Sequence, residues 1–317
     1  MSANVETMFY RLTTPWHGLG TKVDDYLNSA DAIKAAGLDW TVSKREMSFE
    51  NAIGENIMVP DKYAIVRDTD ETVLGTVGKV WKPLQNNEAF DFTDALLTEG
   101  CDNLDSLSIE DECPRYETAG SLANGSHIWL LAKMPIEVKV NGYDAVDMFL
   151  LFSNGHDGKH AVQAAITPVR VVCQNTLNLA MATTKQKFSI RHSGQMKDKI
   201  EAARLALGMT FAYAHAFEDI ANQLAAVDVT LDGFKRLAVE LAPTSEDIQN
   251  RIVDSYVHTK TLTDEQKLTG WGAVNAVGEY FAWGRNPYKG AESRFTNDMF
   301  GDSENARNKA VKLLLNK

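Results

Sequence analysis

Hydrophobic and polar residues alternate along the first third of the chain in short runs that end at turn-forming residues. Alternation of this kind, with β-branched residues, is typical of half-buried strands. Ser29 is expected to cap a short helix that ends at Gly37, and Asn86 or Asn87 to cap a second helix that ends at Gly100. The predicted strands lie near residues 39–49, 55–59, 62–67 and 72–81.

Two Asn-Gly pairs, at 124–125 and 141–142, mark tight turns in the middle of the chain. Asn-Gly supplies the positive φ angles of a type I′ hairpin, so we expect an antiparallel β-meander. A further strand is predicted from His160 to Thr167, where Thr167 would then cap a helix with Pro168 as its first residue. The predicted strands of the meander are Tyr116–Leu122, Ser126–Met134, Ile136–Val140 and Ala145–Phe152.

Helical periodicity dominates from about residue 196 onward. The segment Pro243–Asp247 is predicted to end one helix and start another over Ile248–Val257, and a long helix is expected from Thr263 to Trp283. Within it, we expect four residues to be core or interface: Trp271, Val274, Tyr280 and Phe281.

The pattern as a whole predicts an α+β fold, with an antiparallel β-meander core and packed helices, followed by a mainly helical C-terminal region. We divide the chain into an N-terminal arm (1–28), an α+β core domain (29–195) and a helical region (196–317). The composition, 44% hydrophobic and 24% charged over 317 residues, is that of a globular protein.

Charge is distributed unevenly along a chain of net charge −11. Residues 86–118 contain ten acidic residues and one arginine, whereas residues 151–200 contain seven basic and two acidic residues. Such asymmetry permits a basic groove on an acidic molecule, or docking of an acidic face on the basic face of another subunit.

Several classes of protein are disfavoured by the motifs. Cys101, Cys113 and Cys173 form no CxxC pair, which indicates reduced thiols in a cytosolic protein. Neither a signal sequence nor an apolar run long enough to span a bilayer is recognised, so no membrane association is expected. The two Gly-rich segments, at 75–79 and 155–159, do not match a phosphate-binding loop, and no cofactor is predicted.

The loop from Asn154 to His160 is the strongest candidate for chemistry. His156, Asp157 and His160, with His17 as a further ligand, could hold a divalent metal ion. The alternative is that Asp157 and Gly158 form a turn while the histidines hydrogen-bond to neighbouring backbone.

A second interpretation of the same region is a nucleic-acid-binding surface, since a protein that binds single strands needs cations along the backbone path and flat side chains for the bases. A polar stripe such as the one at 170, 174 and 178 is more often a solvated helix face. Trp129, Phe152 and the pair Trp81-Lys82 are further candidate contacts, although the first two also suit a core. The predicted binding residues are Lys159, His160, Arg170, Gln174, Asn178, Lys185, Lys187 and Arg191.

Several segments together resemble the phage/plasmid-related protein family built on domain of unknown function nine-three-two. They are Pro15–Gly20, Leu74–Gly78, Gln85–Phe90, Glu117–Leu122, Ser153–His160 and Thr167–Leu177. The resemblance spans roughly residues 15 to 210, with weaker similarity to about 300, and implies a mobile-element context without an activity.

The predicted order of elements is also similar to that of Rad52-like phage single-strand annealing proteins. This similarity implies a non-catalytic accessory protein that forms a homo-oligomer and binds or anneals single-stranded DNA. Two alternatives stay open: an oligomeric interaction module acting on a host factor, and a metal-dependent nuclease that uses His156, Asp157 and His160.

Overall fold

The computed structural model describes residues 5–11, 20–102, 115–170, 187–194, 198, 210–284 and 302–316, and within them the chain forms ten β-strands and eight α-helices. The predicted α+β fold is confirmed, since antiparallel sheets in the first part of the chain are followed by helices. No helix in these residues is long and apolar enough to cross a membrane. The strands are β1 (Val5–Tyr10), β2 (Thr21–Lys22), β3 (Val42–Glu50), β4 (Asn56–Arg67), β5 (Val73–Gly78), β6 (Arg115–Leu122), β7 (His127–Val140), β8 (Asp144–Gly155), β9 (Val162–Arg170) and β10 (Lys187–Ile190).

The larger sheet has seven strands in the order β10-β9-β8-β7-β6-β1-β2. Strands β6 to β10 are neighbours in sequence order, as the predicted meander requires, and β1 pairs antiparallel with β6 at one side. Both Asn-Gly turns are confirmed. Asn141 and Gly142 have φ of 52° and 78°, and the wider turn before β7 has φ of 57° at Asn124 and 83° at Gly125.

Two predictions about this sheet are wrong. β7 continues through Pro135, where two separate strands were expected, and Thr167 and Pro168 lie in β9 instead of starting a helix. The pairing of β9 with β10 covers Val162–Ala165 among the described residues, so Pro168 lies beyond it. At that position its missing N–H removes no hydrogen bond to β10.

The smaller sheet consists of β3, β4 and β5, all antiparallel. The strands expected at 55–59 and 62–67 form one strand, β4, which bends at an irregularity. Glu46 is opposite Tyr63 while Ser48 is opposite Met58, so the four residues Val59–Lys62 of β4 lie opposite the single residue Met47 of β3. Beyond this bend the β3–β4 hairpin has no third strand among the described residues, because β5 pairs with β4 only from Lys62 onward.

The first helix, α1 (Ser29–Ala35), starts after Asn28 and not after Ser29 as predicted. The side-chain oxygen of Asn28 accepts a hydrogen bond from the Asp31 N–H at 2.9 Å, which satisfies an orphan donor of the first turn. Gly37 has φ of 65°, so the expected stop is confirmed.

The second helix, α2 (Asn86–Asp102), begins at Asn86 itself. The preceding residue, Gln85, donates its N–H to the Glu88 carboxylate at 2.8 Å. Neither Asn86 nor Asn87 therefore precedes the helix, and the Asn86 amide is available for contacts outside it.

The C-terminal helices follow the predicted order with one interruption. A helix starts within Pro243–Asp247 as expected, and the Ser245 hydroxyl caps it by accepting from the Ile248 N–H. The helix expected over Thr263–Trp283 is split between Lys267 and Gly270, where the Thr269 hydroxyl caps the second part by accepting from the Gly272 N–H. The Gln266 carbonyl lies so close to this turn that a Cβ on Gly272 would be 2.0 Å from its oxygen. These helices are α3 (Thr210–Ala225), α4 (Leu231–Leu241), α5 (Glu246–His258), α6 (Asp264–Lys267), α7 (Gly270–Glu279), which continues as a π-helical turn (Tyr280–Gly284), and α8 (Asp302–Leu314).

The chain divides into two compact units. The first unit holds the described residues of Met1–Pro135, Leu150–Ala165 and Lys187–Gly208, and the second holds those of Ile136–Phe149, Ile166–Gln186 and Met209–Lys317. The division of the chain at 28/29 and 195/196 stays a prediction.

The core of the second unit includes the predicted Trp271, Val274 and Tyr280, all buried. The Trp271 indole N–H donates to the buried Asp144 carboxylate at 2.8 Å, and Gln266 donates to the same oxygen at 3.3 Å. A buried carboxylate is costly unless such donors satisfy it, so this contact holds a strand segment against the helices within that unit.

Replacing Trp271 with Phe keeps the aromatic bulk and removes the donor to Asp144. We expect this change to lower the free energy of unfolding by about 1–3 kcal/mol, the cost of leaving a buried polar group less satisfied. Urea unfolding followed by circular dichroism measures it. Val239→Ala, in an exposed position of α4, is the control and should change stability by less than about 0.5 kcal/mol; an unchanged midpoint for Trp271→Phe would contradict the assignment.

Candidate functional site

The loop after β8 begins in the interior of the first unit. His156 is fully buried, and its backbone N–H donates to the Ser126 carbonyl at 2.7 Å. Its Nε2 contacts the Asn86 side-chain oxygen at 3.0 Å, and its ring lies 5.4 Å from that of Trp40. Asn154, also buried, donates to the Leu84 carbonyl at 3.1 Å. The start of the loop is therefore anchored to the first turn of α2.

The second half of the loop is a turn built by Asp157. Its Oδ1 accepts from the N–H groups of Lys159 at 2.8 Å and His160 at 3.1 Å, while Oδ2 contacts His160 Nδ1 at 2.8 Å. Gly158 has φ of 77°, and the His160 ring stacks on His127 at 4.9 Å. This is the turn that the alternative to metal binding described, and the rings of His156 and His160 contact the side chains of Asn86 and Asp157.

Burial keeps His127 and His156 neutral at neutral pH. It lowers the pKa of His127 to about 4, with a smaller contribution from His160, and the pKa of His156 to about 3, with smaller contributions from His192 and His127. Burial alone would raise the pKa of Asp157, but hydrogen bonds from His160 and from two backbone N–H groups hold it at about 2. The loop therefore carries an ionised Asp157 carboxylate and a neutral His156 imidazole at neutral pH.

The predicted metal ligands point to different partners. His156 Nε2 contacts Asn86, whereas Asp157 contacts His160. Throughout the part of the chain that the structure describes, no three His, Cys, Asp or Glu residues are arranged to hold a metal ion. His17 lies outside the described residues.

The loop packs closely against β5. A Cβ added to Gly75 would lie 2.4 Å from the Asp157 Cα and carbonyl oxygen, and one added to Gly158 would lie 2.7 Å from Val77 Cγ1. Contacts this short mean that both glycines are needed for the approach of the two backbones. This close packing of the loop on β5 brings the exposed Lys159 beside the strand.

The segment after β5 also contacts the residues that follow β10. Trp81 forms an isolated bridge with Ser193, and its ring stacks on His192 at 4.7 Å. The Lys82 N–H donates to the His192 carbonyl at 3.0 Å, and His192 Nδ1 donates to the Lys82 carbonyl at the same distance. The exposed Arg191 lies next to this contact in sequence, after β10.

Exposed cations from four chain segments thus lie around the end of β5. Lys62 is opposite Gly78 in the sheet, Lys79 and Lys82 follow β5, Lys159 comes from the loop and Arg191 from the residue after β10. Val80, 75% exposed, and the half-buried Trp81 lie between the two lysines in sequence. We call these five cations the basic surface.

Lys44 fixes the turn that carries two of these cations. Its ammonium donates to the carbonyl oxygens of Gly78, Lys79 and Trp81 at 3.0, 2.7 and 3.1 Å, and lies 4.2 Å from the centre of the Tyr63 ring. Partial burial lowers the pKa of Lys44. By binding three carbonyl oxygens of this turn, it orders the segment between Gly78 and Lys82.

The sequence-predicted residues are only partly assembled here. Lys159 and Arg191 belong to the basic surface, and His160 is engaged with Asp157. Arg170 lies in β9 and in the second unit, and Lys187 lies in β10 with its backbone paired to Ala165. Gln174, Asn178 and Lys185 lie outside the described residues. The candidate aromatics Trp129 and Phe152 are buried in the core.

The sequence interpretation missed Lys62 and Lys79 and gave Lys82 only as a possible contact. The local signal was the run Lys79-Val80-Trp81-Lys82, in which two cations flank apolar residues. Their convergence with Lys159 and Arg191 depends on long-range pairing, which the run itself does not reveal.

Comparison with known families identifies one match. A domain of unknown function (DUF932) matches residues 73–312. The chain belongs to the DUF932 family. No curated protein and no solved structure matches it.

The DUF932 match includes four of the five residues of the basic surface, Lys62 being the exception. The matched region contains residues of both units. It also includes every segment that carried the resemblance except Pro15–Gly20. Strands β1 to β4 precede the matched region.

The stability of this DUF932 protein should fall as pH decreases from about 6.5 to about 4. The unfolded chain binds protons at His127 and His156 in this window, whereas the folded protein, with lowered pKa values, does not. His127 alone accounts for a loss on the order of 3 kcal/mol. Thermal melts against pH measure the slope, which His127→Gln should flatten and the exposed His258→Gln should not; equal slopes in all three proteins would refute the assignment.

Gly75→Ala should destabilise the protein by about 1–3 kcal/mol, because the added methyl meets the Asp157 backbone and not a flexible side chain. Gly78→Ala is a matched control in the same strand, since a Cβ there has no neighbour within 4 Å. Chemical denaturation of both variants decides the point, and similar unfolding midpoints would mean that the loop does not pack on β5 as described.

Proposed function

We propose that this DUF932 protein binds single-stranded nucleic acid on the basic surface, without catalysing a reaction. The observation that carries the proposal is the convergence of Lys62, Lys79, Lys82, Lys159 and Arg191 around Val80 and Trp81. Cations next to apolar and aromatic groups are the combination that single-strand binding requires, because phosphates are neutralised while bases rest on flat side chains.

The net charge of −11 does not oppose this function. Binding depends on the potential at the contacted surface, and a local cluster of cations attracts phosphates even on an acidic molecule. Asp157, the acidic residue nearest Lys159 in sequence, is engaged by His160 and two backbone N–H groups. Its charge is therefore partly compensated within the loop.

The proposed biological setting is that of a phage or plasmid accessory protein in the cytoplasm of a bacterial host. Similarity of the element order to Rad52-like annealing proteins supports a homo-oligomer that holds single strands by their backbones and leaves base edges free for pairing. A nuclease is not proposed, because His156 and Asp157 are held by separate hydrogen-bond partners.

Binding of a fluorescent oligothymidylate across a salt series tests the proposal. Affinity should fall steeply with salt, and Lys79→Ala/Lys82→Ala/Lys159→Ala should weaken binding at least tenfold. The slope of log affinity against log salt should become shallower by about 2, since each phosphate contact to a single strand contributes roughly 0.7.

A second triple variant, Lys235→Ala/Lys260→Ala/Lys312→Ala, removes the same charge from exposed positions of the second unit. It should bind almost as the wild type does. Equal losses in the two triple variants would remove the basic surface as the site, and absence of binding by the wild type at low salt would contradict the function.

A further inference from the structure

Trp81 is fixed in place through both its backbone and its ring. Its N–H donates to the Gly78 carbonyl at 3.3 Å, and its own carbonyl accepts from the Lys44 ammonium at 3.1 Å. The indole stacks on the buried His192, with 4.7 Å between ring centres and 21° between the ring planes. The His192 ring is held in turn, since its Nδ1 donates to the Lys82 carbonyl at 3.0 Å. Trp81 therefore has little conformational freedom to lose when a ligand binds.

The indole N–H of Trp81 is used differently from those of two buried tryptophans. Trp40 and Trp271 donate theirs within the protein, at 3.0 and 2.8 Å. Trp81 is only half-buried, and its indole N–H has no acceptor among the described residues. A tryptophan that serves the core alone is normally buried with this group hydrogen-bonded. The Trp81 ring is thus supported by His192 while part of it stays open to solvent.

The two segments that meet at Trp81 carry cations and no acidic side chain. Residues 78–82 contain Lys79 and Lys82, and residues 190–194 contain Arg191. All three cations are exposed. Phosphates attract such cations, so a strand whose backbone contacts them brings its bases next to the indole.

We propose that Trp81 is a stacking platform for an unpaired base, so that the basic surface recognises the bases of a single strand as well as its phosphates. The platform rests on the proposed function and names the part of the ligand that the site selects. In a duplex, each internal base is covered on both faces by its neighbours, whereas an unstacked base of a single strand can lie on an aromatic side chain. Because every base has a flat face, stacking on Trp81 selects exposed bases without selecting a sequence.

A strand without bases tests the platform on the wild-type protein. A fluorescent oligothymidylate and an abasic strand of the same length carry the same phosphate charge and differ only in the bases. At one fixed salt concentration, the wild type should bind oligothymidylate at least tenfold more tightly than the abasic strand.

Variants assign this preference to the indole. Trp81→Ala should weaken binding of oligothymidylate about five- to a hundredfold, the range for loss of one stacked base. It should leave binding of the abasic strand and the slope of log affinity against log salt unchanged, because no phosphate contact is lost. Trp81→Phe keeps an aromatic face and should retain most of the affinity. Lys79→Ala/Lys82→Ala/Lys159→Ala, in contrast, should weaken binding of both strands and make the slope shallower.

Tyr143→Ala removes an exposed aromatic ring from the second unit and is the matched control, which should bind both strands as the wild type does. Thermal melts show whether Trp81→Ala is folded, and the comparison of the two strands on the wild type decides the point even if it is not. Equal affinity of the wild type for the two strands, or equal losses for both strands in a folded Trp81→Ala, would overturn the platform. Either result leaves nucleic-acid binding intact, whereas absence of binding of both strands at low salt refutes the proposed function and the platform together.

Discussion

The hydrogen bond between Asn86 and His156 is the contact on which the first unit depends. The Asn86 amide donates to the carbonyl oxygens of Leu38 and Trp40, and its oxygen contacts His156 at 3.0 Å. One buried side chain thus joins the segment after α1, the first turn of α2 and the loop after β8. Loss of any partner would leave a buried polar group unsatisfied, at a cost of about 1–3 kcal/mol, so these three segments are positioned together.

The basic surface follows from that positioning. With the start of the loop held in the interior, Asp157 turns the chain sharply and Gly158 lies against β5, which leaves Lys159 at the surface. On the other side, Lys44 orders the segment after β5 through three carbonyl contacts. Rigid placement of cations reduces the conformational entropy lost when a ligand binds. A chain that is acidic overall thereby presents a local positive potential.

Features set by local chemistry could be predicted from the sequence. The Asn-Gly turns, the stop at Gly37 and the helix start within Pro243–Asp247 each depend on a backbone conformation or a side-chain acceptor within a few residues. The helix expected at Thr167-Pro168 was wrong because the same two residues can also lie in a strand, as they do in β9. Local signals alone did not distinguish these outcomes.

The site could be predicted only in part, for the same physical reason. The loop at 154–160 was recognised from its composition, but its anchor, Asn86, lies 70 residues away from His156 and was interpreted as a helix cap. The contribution of Lys79 and Lys82 depends on the bridge between Trp81 and Ser193. Contacts between residues so distant in sequence leave no pattern in either segment.

Hydrogen exchange of the free and the oligonucleotide-bound protein tests the central claim most directly. The account predicts that a single-stranded oligonucleotide slows exchange in the segment Gly78–Lys82, in the loop from Asp157 to His160 and around Arg191. Protection confined to the β3–β4 hairpin or to the second unit would contradict it, and so would no change in exchange at a saturating oligonucleotide concentration.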